Sequence, residues 1–125
     1  MPVLWLCDFS QDQGAIALAD ALSTNNALVS LNLEGNNIQS EGASALAKGL
    51  RTNKSLQSLN LLNQRQEAHF ESETVLRDFV SMFELNITLQ TLAWNVPPSQ
   101  LSTEIEHGLA RNHEIGHNYV IAMYM

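Results

Sequence analysis

The fold is decided by residues 28–38, which read LVSLNLEGNNI, because this stretch returns further along the chain. Residues 56–64, beginning 28 positions later, read LQSLNLLNQ. The leucines that return in register are Leu28, Leu31 and Leu33 and then Leu56, Leu59 and Leu61. A repeat of this length predicts a solenoid, in which each unit packs only against its neighbours.

A helical pattern precedes each repeated strand, with apolar residues at i, i+3, i+4 and i+7 that share one helix face. These residues are Ala15, Leu18, Ala19 and Leu22, then Ala43, Leu46, Ala47 and Leu50, then Leu76, Phe79, Val80 and Phe83. An asparagine stands three residues before each following strand position, at Asn25, Asn53, Asn86 and Asn112. The asparagine intervals are 28, 33 and 26 residues, so the third unit carries an insertion. We expect this insertion in a surface loop at residues 64–70.

The pattern L-x-x-L-x-L-x-x-N-x-I, followed by EGASALA at residues 41–47, resembles the leucine-rich repeat. The resemblance is to the long, 28-residue type found in ribonuclease inhibitor, NOD-like receptors, Ran GTPase-activating proteins and tropomodulin. It implies an α/β solenoid with a parallel sheet on the concave face and helices on the convex face. The turn asparagine Asn36 is replaced by Gln64 and Pro97 in the next two units, where altered turns are expected.

We predict a single domain over residues 1–125, with repeats at 1–25, 26–53, 54–86 and 87–112 and a terminal strand within 113–125. The terminal strand is a partial fifth strand from Ile115 to Ala122. The strand residues expected in the core are Val3, Trp5, Leu28, Leu31, Leu33, Leu56, Leu59, Leu61, Leu89, Leu92 and Trp94. The first strand has no polar capping element before Val3, so its edge is open to a partner or a second copy of the protein.

Composition narrows the classes of function. The chain has 125 residues, is 45% hydrophobic and 15% charged, and carries a net charge of −7. This balance predicts one folded domain and excludes a phosphate-backbone binder, so nucleic acid is not an expected partner. Cys7 is the single cysteine, which indicates a reducing, cytoplasmic location. The first apolar run ends at Asp8, too early for a signal peptide or membrane span, and no cofactor motif is present.

Function is expected on the sheet, where alternate residues point away from the core. Such a surface suits recognition of a protein partner, because side chains from successive repeats each add a contact. It holds one carboxylate, at Glu34, and no acid/base pair or metal-ligand set. The predicted partner-binding residues are Leu4, Leu6, Ser30, Asn32, Glu34, Ser58, Asn60, Leu62, Thr91, Ala93 and Asn95, with Pro2 on the same side of the first strand.

A zinc metallopeptidase is the first alternative, since residues 113–117 read HEIGH and match H-E-x-x-H. In that chemistry His113 and His117 would bind the metal from one helix face, and Glu114 would deprotonate bound water. Two observations oppose it. The repeat places Asn112 to Glu114 in a turn, and the eight residues after His117 offer no third ligand. We therefore predict no metal site and no enzymatic activity.

A GTPase-activating or actin-regulating protein is the second alternative, and it rests on the family resemblance. Ran GTPase-activating proteins use an arginine in a strand-to-helix loop of this fold. Arg65 lies in the corresponding inserted loop. Nothing flanking Arg65 reproduces a family motif, so a solvated surface arginine is the simpler interpretation.

Overall fold

The computed structural model describes residues 3–5, 12–65, 70 and 72–124, with the backbone alone for Trp5 and for residues 117–124. Short strands alternate with helices, as the repeat predicts. The elements are β1 (Val3–Trp5), α1 (Asp12–Leu22), β2 (Ser30–Asn32), α2 (Ser40–Thr52), β3 (Ser58–Asn60), α3 (Glu73–Leu85), β4 (Thr91–Ala93) and α4 (Gln100–Tyr124). Among the described helices, none is long and apolar enough to cross a membrane.

The strands form one parallel sheet in the order β1-β2-β3-β4. Equivalent positions pair across it, with Leu31 beside Leu59 and Leu59 beside Leu92. Each helix packs against the helix of the next repeat, α1 on α2, α2 on α3 and α3 on α4. The predicted α/β leucine-rich repeat solenoid is therefore confirmed, with β1 and β4 at the two edges of the described sheet.

The core lies between the sheet and the helices. Leu31, Leu33, Leu56, Leu59, Leu61 and Leu89 are buried on the strand side, together with the predicted apolar residues of α2. Leu28, Leu92 and Trp94 are half-buried and pack against this core. The Trp94 ring meets Phe79 edge-on, with 4.7 Å between ring centroids. These contacts confirm the predicted strand and helix faces from β2 onward.

The first strand differs from the prediction by one residue. Leu4 pairs with Leu31 and packs against the core, whereas Val3 pairs with Ser30 and is 53% exposed. The prediction placed Val3 inside and Leu4 outside, and both assignments are wrong. Side chains alternate along a strand, so a shift of one residue reverses every orientation. The Trp5 side chain lies outside the described residues.

Four asparagines, Asn25, Asn53, Asn86 and Asn112, form what we call the asparagine ladder along the ends of the first three helices and within α4. The Asn86 side chain donates to the carbonyls of Leu50 and Asn53, and its Oδ1 accepts the main-chain N–H groups of Thr88 and Leu89. Asn53 makes the equivalent bonds one repeat earlier, donating to the carbonyls of Leu22 and Asn25. Asn53 and Asn86 thus each end a helix, turn the chain and tie two repeats together.

The predicted fifth strand is wrong, because α4 continues as a helix through residues 113–124. Asn112 still donates to the carbonyls of Leu89 and Asn86. Its Oδ1, however, accepts from the Arg111 guanidinium instead of from the main-chain N–H groups that follow. With that acceptor occupied, the turn that ends the earlier helices does not form. The predicted turn at Asn112 to Glu114 is therefore wrong as well.

The inserted loop is anchored at both ends of its described part. Phe70 is buried at 2% exposure and packs beside Trp94, so it belongs to the core and not to the loop surface. Gln64 takes over the role of the turn asparagine, donating to the carbonyls of Leu33 and Leu61 and accepting the N–H of Ile38. Its longer side chain reaches across to Leu33 of the preceding repeat, whose carbonyl also accepts from the Asn36 side chain.

Candidate functional site

The outward residues of the sheet form two straight rows, since equivalent positions of parallel strands pair side by side. The hydroxyl row consists of Ser30, Ser58 and Thr91, and the amide row consists of Asn32, Asn60 and Ala93. Neighbouring side chains within a row are about 4.8 Å apart, the separation of adjacent strands. Glu34, Leu62 and Asn95 follow the strands, and we call these nine residues the sheet face.

The carboxamide oxygens of the sheet face are already bound. The main-chain N–H of Glu34 donates to Oδ1 of Asn32, and that of Leu62 donates to Oδ1 of Asn60, each at 2.9 Å. Asn95 accepts the N–H of Asn63 at 2.7 Å. A main-chain N–H can only donate, so it fixes which end of each carboxamide is the oxygen. The three Nδ2 groups are therefore not the atoms that hold these turns.

Charge and apolar surface are sparse on the sheet face. Glu34 is its one carboxylate, and Leu62 is its one large apolar side chain, and both are half-buried. Among the described residues, no three His, Cys, Asp or Glu side chains are grouped so that they could hold a metal ion. The groups present are hydrogen-bonding groups, which suit reversible binding of a protein surface.

The structure brings nine of the eleven predicted partner-binding residues together on this face. Leu4 is the exception, because it points into the core with Leu31. Leu6 lies outside the described residues. Val3, which the prediction missed, extends the hydroxyl row beyond Ser30. The sequence did carry a signal, since Leu4 and Leu6 repeat the spacing of Leu31 and Leu33 at an interval of 27 residues.

The H-E-x-x-H segment lies within α4, so the helix that zinc binding requires is present, contrary to the prediction. His113 and Glu114 are both exposed. The Nδ1 atom of His113 lies 3.3 Å from Oε1 of Gln90. The side chain of His117 lies outside the described residues. The described part of this segment thus brings one histidine, His113, beside the amide of Gln90.

Arg65 has a structural partner. Its Nε donates to the carbonyl of Gly35 at 3.0 Å, and its main-chain N–H donates to the carbonyl of Asn36. The accepting turn lies one repeat earlier, where Gly35 has a φ of +75°, a conformation that glycine adopts without strain. Arg65 therefore joins two consecutive strand-to-helix turns, and this bond accounts for a polar side chain in the inserted loop.

The helix side carries more charge, and open grooves run between its helices. A groove of about 670 Å³ lies between α3 and the start of α4, lined in part by Arg77, Glu84 and Glu104. The second, of about 430 Å³, crosses α1, α2 and α3 and is lined in part by Ile16 and Lys48. Arg77 is paired with Glu73 one helical turn away, and both side chains are about two-thirds exposed. Exposed pairs of this kind contribute little to stability.

Comparisons with known sequences and solved structures identify proteins that are similar to this chain. No curated protein sequence matches the chain. A solved structure named "Leiomodin-1 Actin-Binding Site 2 (ABS2)" is similar with a TM-score of 0.80 and 24% identity, over 91% of this chain and 64% of that one. The tropomodulin C-terminal domain of Caenorhabditis elegans is similar with a TM-score of 0.82 and 22% identity, over 96% of this chain and 70% of that one.

This chain thus spans just under two thirds of the leiomodin-1 structure. At these identities the likeness establishes the fold. Family membership comes from a separate finding, a match between residues 6–115 and the model of the TMOD/LMOD leucine-rich domain. That match covers nearly the whole solenoid described above, from just after β1 into α4. The protein belongs to the family of TMOD/LMOD leucine-rich domains.

Proposed function

We propose that this domain binds actin through its sheet face. The observation that carries the proposal is the family match over residues 6–115, joined to a fold neighbour whose name is that of an actin-binding site. The family supports a protein-binding repeat module and the actin-regulating alternative, and it does not support a peptidase. An actin partner also agrees with the intracellular location that the lone Cys7 indicates.

The sheet face supports binding by its shape and composition. Its rows repeat at the strand spacing, so one partner surface meets equivalent groups from β2, β3 and β4 at once. Its side chains are short, and little conformational entropy is lost when they become ordered. Glu34 offers a carboxylate to a basic side chain of actin at the rim, where such a contact favours orientation more than affinity.

The test replaces two short side chains of the hydroxyl row. Ser58→Arg plus Thr91→Arg places two bulky cations on adjacent strands without removing any hydrogen bond described above. The matched control is Gln13→Arg plus Asn26→Arg, which adds the same charge at exposed positions away from the sheet. Binding to monomeric and filamentous actin is measured by fluorescence anisotropy and co-sedimentation. We expect the sheet variant to lose about tenfold or more in affinity, since blocking a central contact costs about 1.4 kcal/mol or more.

Two results would contradict the proposal. A wild-type chain that binds neither form of actin would remove actin as the partner. Equal affinity for the sheet variant and the wild type would move the binding surface to the helix side. In that case the groove between α3 and α4 becomes the next surface to substitute.

A further inference from the structure

The balance of hydrogen-bond donors and acceptors on the sheet face indicates the kind of partner surface that it binds. All three of its carboxamides, at Asn32, Asn60 and Asn95, have the oxygen bound by a main-chain N–H. Their Nδ2 groups make no hydrogen bond to the part of the chain that the structure describes. Each Nδ2 carries two N–H donors, whereas each oxygen has already used one of its two lone pairs, so the amide row and its extension at Asn95 offer more donors than acceptors.

This bias is imposed by the fold. The turn after each strand needs an acceptor for the N–H two residues on, and an asparagine side chain supplies it locally. In β4 the equivalent place is taken by Ala93. Asn95, two residues further on, accepts the N–H of Asn63 in the turn of the preceding repeat. Asn63 has a φ of +56°, the left-handed conformation that Gly35 adopts in the preceding repeat. The oxygens are therefore needed for the backbone, and the donors remain for a partner.

We propose that the sheet face recognises a segment of actin that presents hydrogen-bond acceptors, main-chain carbonyl or side-chain amide oxygens, to Asn32, Asn60 and Asn95, with a basic side chain opposite Glu34. This inference rests on the proposed function and names the chemistry of the same site. An acidic segment is disfavoured, because Glu34 lies on the face and the chain carries a net charge of −7. A donor-rich segment is disfavoured because donors would meet donors and both would be left unpaired.

The decisive variant is Asn60→Asp. The aspartate has the shape of asparagine and keeps an oxygen for the N–H of Leu62, so the turn is retained. It converts the outward donor into an acceptor and adds one negative charge. The control for that charge is Ser58→Asp, which adds it on the same strand and face but leaves the Asn60 donors in place.

Binding to actin is measured for both variants in about 0.05 M and about 0.5 M salt, since charge effects are screened at the higher concentration and hydrogen bonds are not. We expect Asn60→Asp to lose about tenfold or more at both concentrations, because a partner oxygen is left facing an oxygen. We expect Ser58→Asp to lose less, with most of its loss recovered in high salt.

A second measurement does not depend on any variant folding. The side-chain NH₂ signals of the three carboxamides are resolved in the ¹⁵N–¹H spectrum of the wild-type chain, with exposed Gln13 and Asn26 as internal references. Acceptance of hydrogen bonds by actin shifts the three sheet-face NH₂ signals and leaves the two reference signals in place.

The outcomes separate the two proposals. If wild type binds actin while Asn60→Asp binds equally well, or loses affinity only to the extent of Ser58→Asp and recovers in salt, the donor inference is wrong and the proposed function stands. Unshifted carboxamide signals in the bound wild type also overturn the inference. If wild type fails to bind actin, the proposed function is wrong and the inference falls with it.

Discussion

At the scale of single residues, the buried asparagines of the asparagine ladder contribute to the stability of the fold by bonding main-chain groups. Asn86 is 1% exposed and satisfies four main-chain groups, two carbonyls of earlier residues and two N–H groups of the following loop. A buried main-chain group that loses its hydrogen-bond partner destabilises the folded state, because water cannot reach it to replace the bond. The ladder therefore holds consecutive repeats together by hydrogen bonds at the edge, beside the apolar core.

Asn86→Ala is predicted to lower the free energy of unfolding by about 3 kcal/mol, because it strands buried donors and acceptors. Asn25→Ala is the matched control. Asn25 accepts two N–H groups in the same way, but it is exposed, so water replaces it at a cost of about 1 kcal/mol or less. Urea unfolding measures both. Equal losses for the two variants would show that the ladder adds nothing beyond a local turn.

The sequence predicted the positions of the ladder asparagines but not their hydrogen bonds. Asn53 and Asn86 end helices as predicted, whereas Asn112 lies inside α4. The different end of the fourth unit depends on Arg111, whose guanidinium also donates to the carbonyls of Phe83 and Asn86. The acceptors that an arginine side chain bonds depend on tertiary contacts, and these contacts leave no periodic pattern in the sequence.

At the scale of secondary-structure elements, the first two helices pack at very short range. A Cβ at Gly49 would lie 2.3 Å from the carbonyl oxygen of Ala19 and 2.9 Å from its carbon, which are backbone atoms that cannot move aside. The close approach of α1 to α2 therefore requires Gly49, although glycine disfavours a helix relative to alanine.

Gly49→Ala is predicted to destabilise the domain by about 2 kcal/mol, although alanine favours a helix by about 1 kcal/mol over glycine. Gly116→Ala, in α4, is the control. A Cβ there meets first the end of the Gln90 side chain, which can swing away, so this variant is predicted to be neutral or slightly stabilised. Thermal unfolding compares them. A stabilised Gly49→Ala would contradict the close contact of α1 with α2.

The orientation of β1 gives a second prediction at this scale. Leu4→Asp buries a carboxylate against the core beside Leu31 and is predicted to cost about 2 kcal/mol. Val3→Asp adds the same charge one residue away at a position that is 53% exposed, and is predicted to cost less than about 0.5 kcal/mol. Urea unfolding of both variants distinguishes the two registers. The opposite order of stabilities would restore the register predicted from the interval of 28 residues.

At the scale of the whole molecule, the 28-residue repeat predicts most of the architecture, whereas the sequence at the two ends of the given chain predicts little of it. The architecture from β2 to β4 follows from the pattern in residues 28–61, because a pattern that repeats in register predicts the same strand and helix in each unit. Nine of the eleven predicted binding residues share one face for the same reason. Of the other two, Leu6 lies outside the described residues and Leu4 is in β1, which pairs with one strand in the described sheet. A short strand with one such neighbour gives little evidence for its register.

Self-association through β1 stays a prediction at this scale. Parallel strands at a sheet edge leave one side of their main chain without a strand partner, and β1 lies at that position in the described sheet. Sedimentation equilibrium measures the oligomeric state directly. We expect a concentration-dependent dimer that Val3→Lys weakens, and a strictly monomeric wild type would end this prediction.

The measurement that tests the central claim most directly is cross-saturation from unlabelled actin onto the ¹⁵N-labelled domain, read residue by residue in solution. We predict that saturation reaches the amides of the sheet face, at Ser30, Asn32, Ser58, Asn60 and Thr91, and leaves the outer faces of α1 and α2 unaffected. Saturation confined to the helices, with the sheet-face amides unchanged in the bound state, would contradict it.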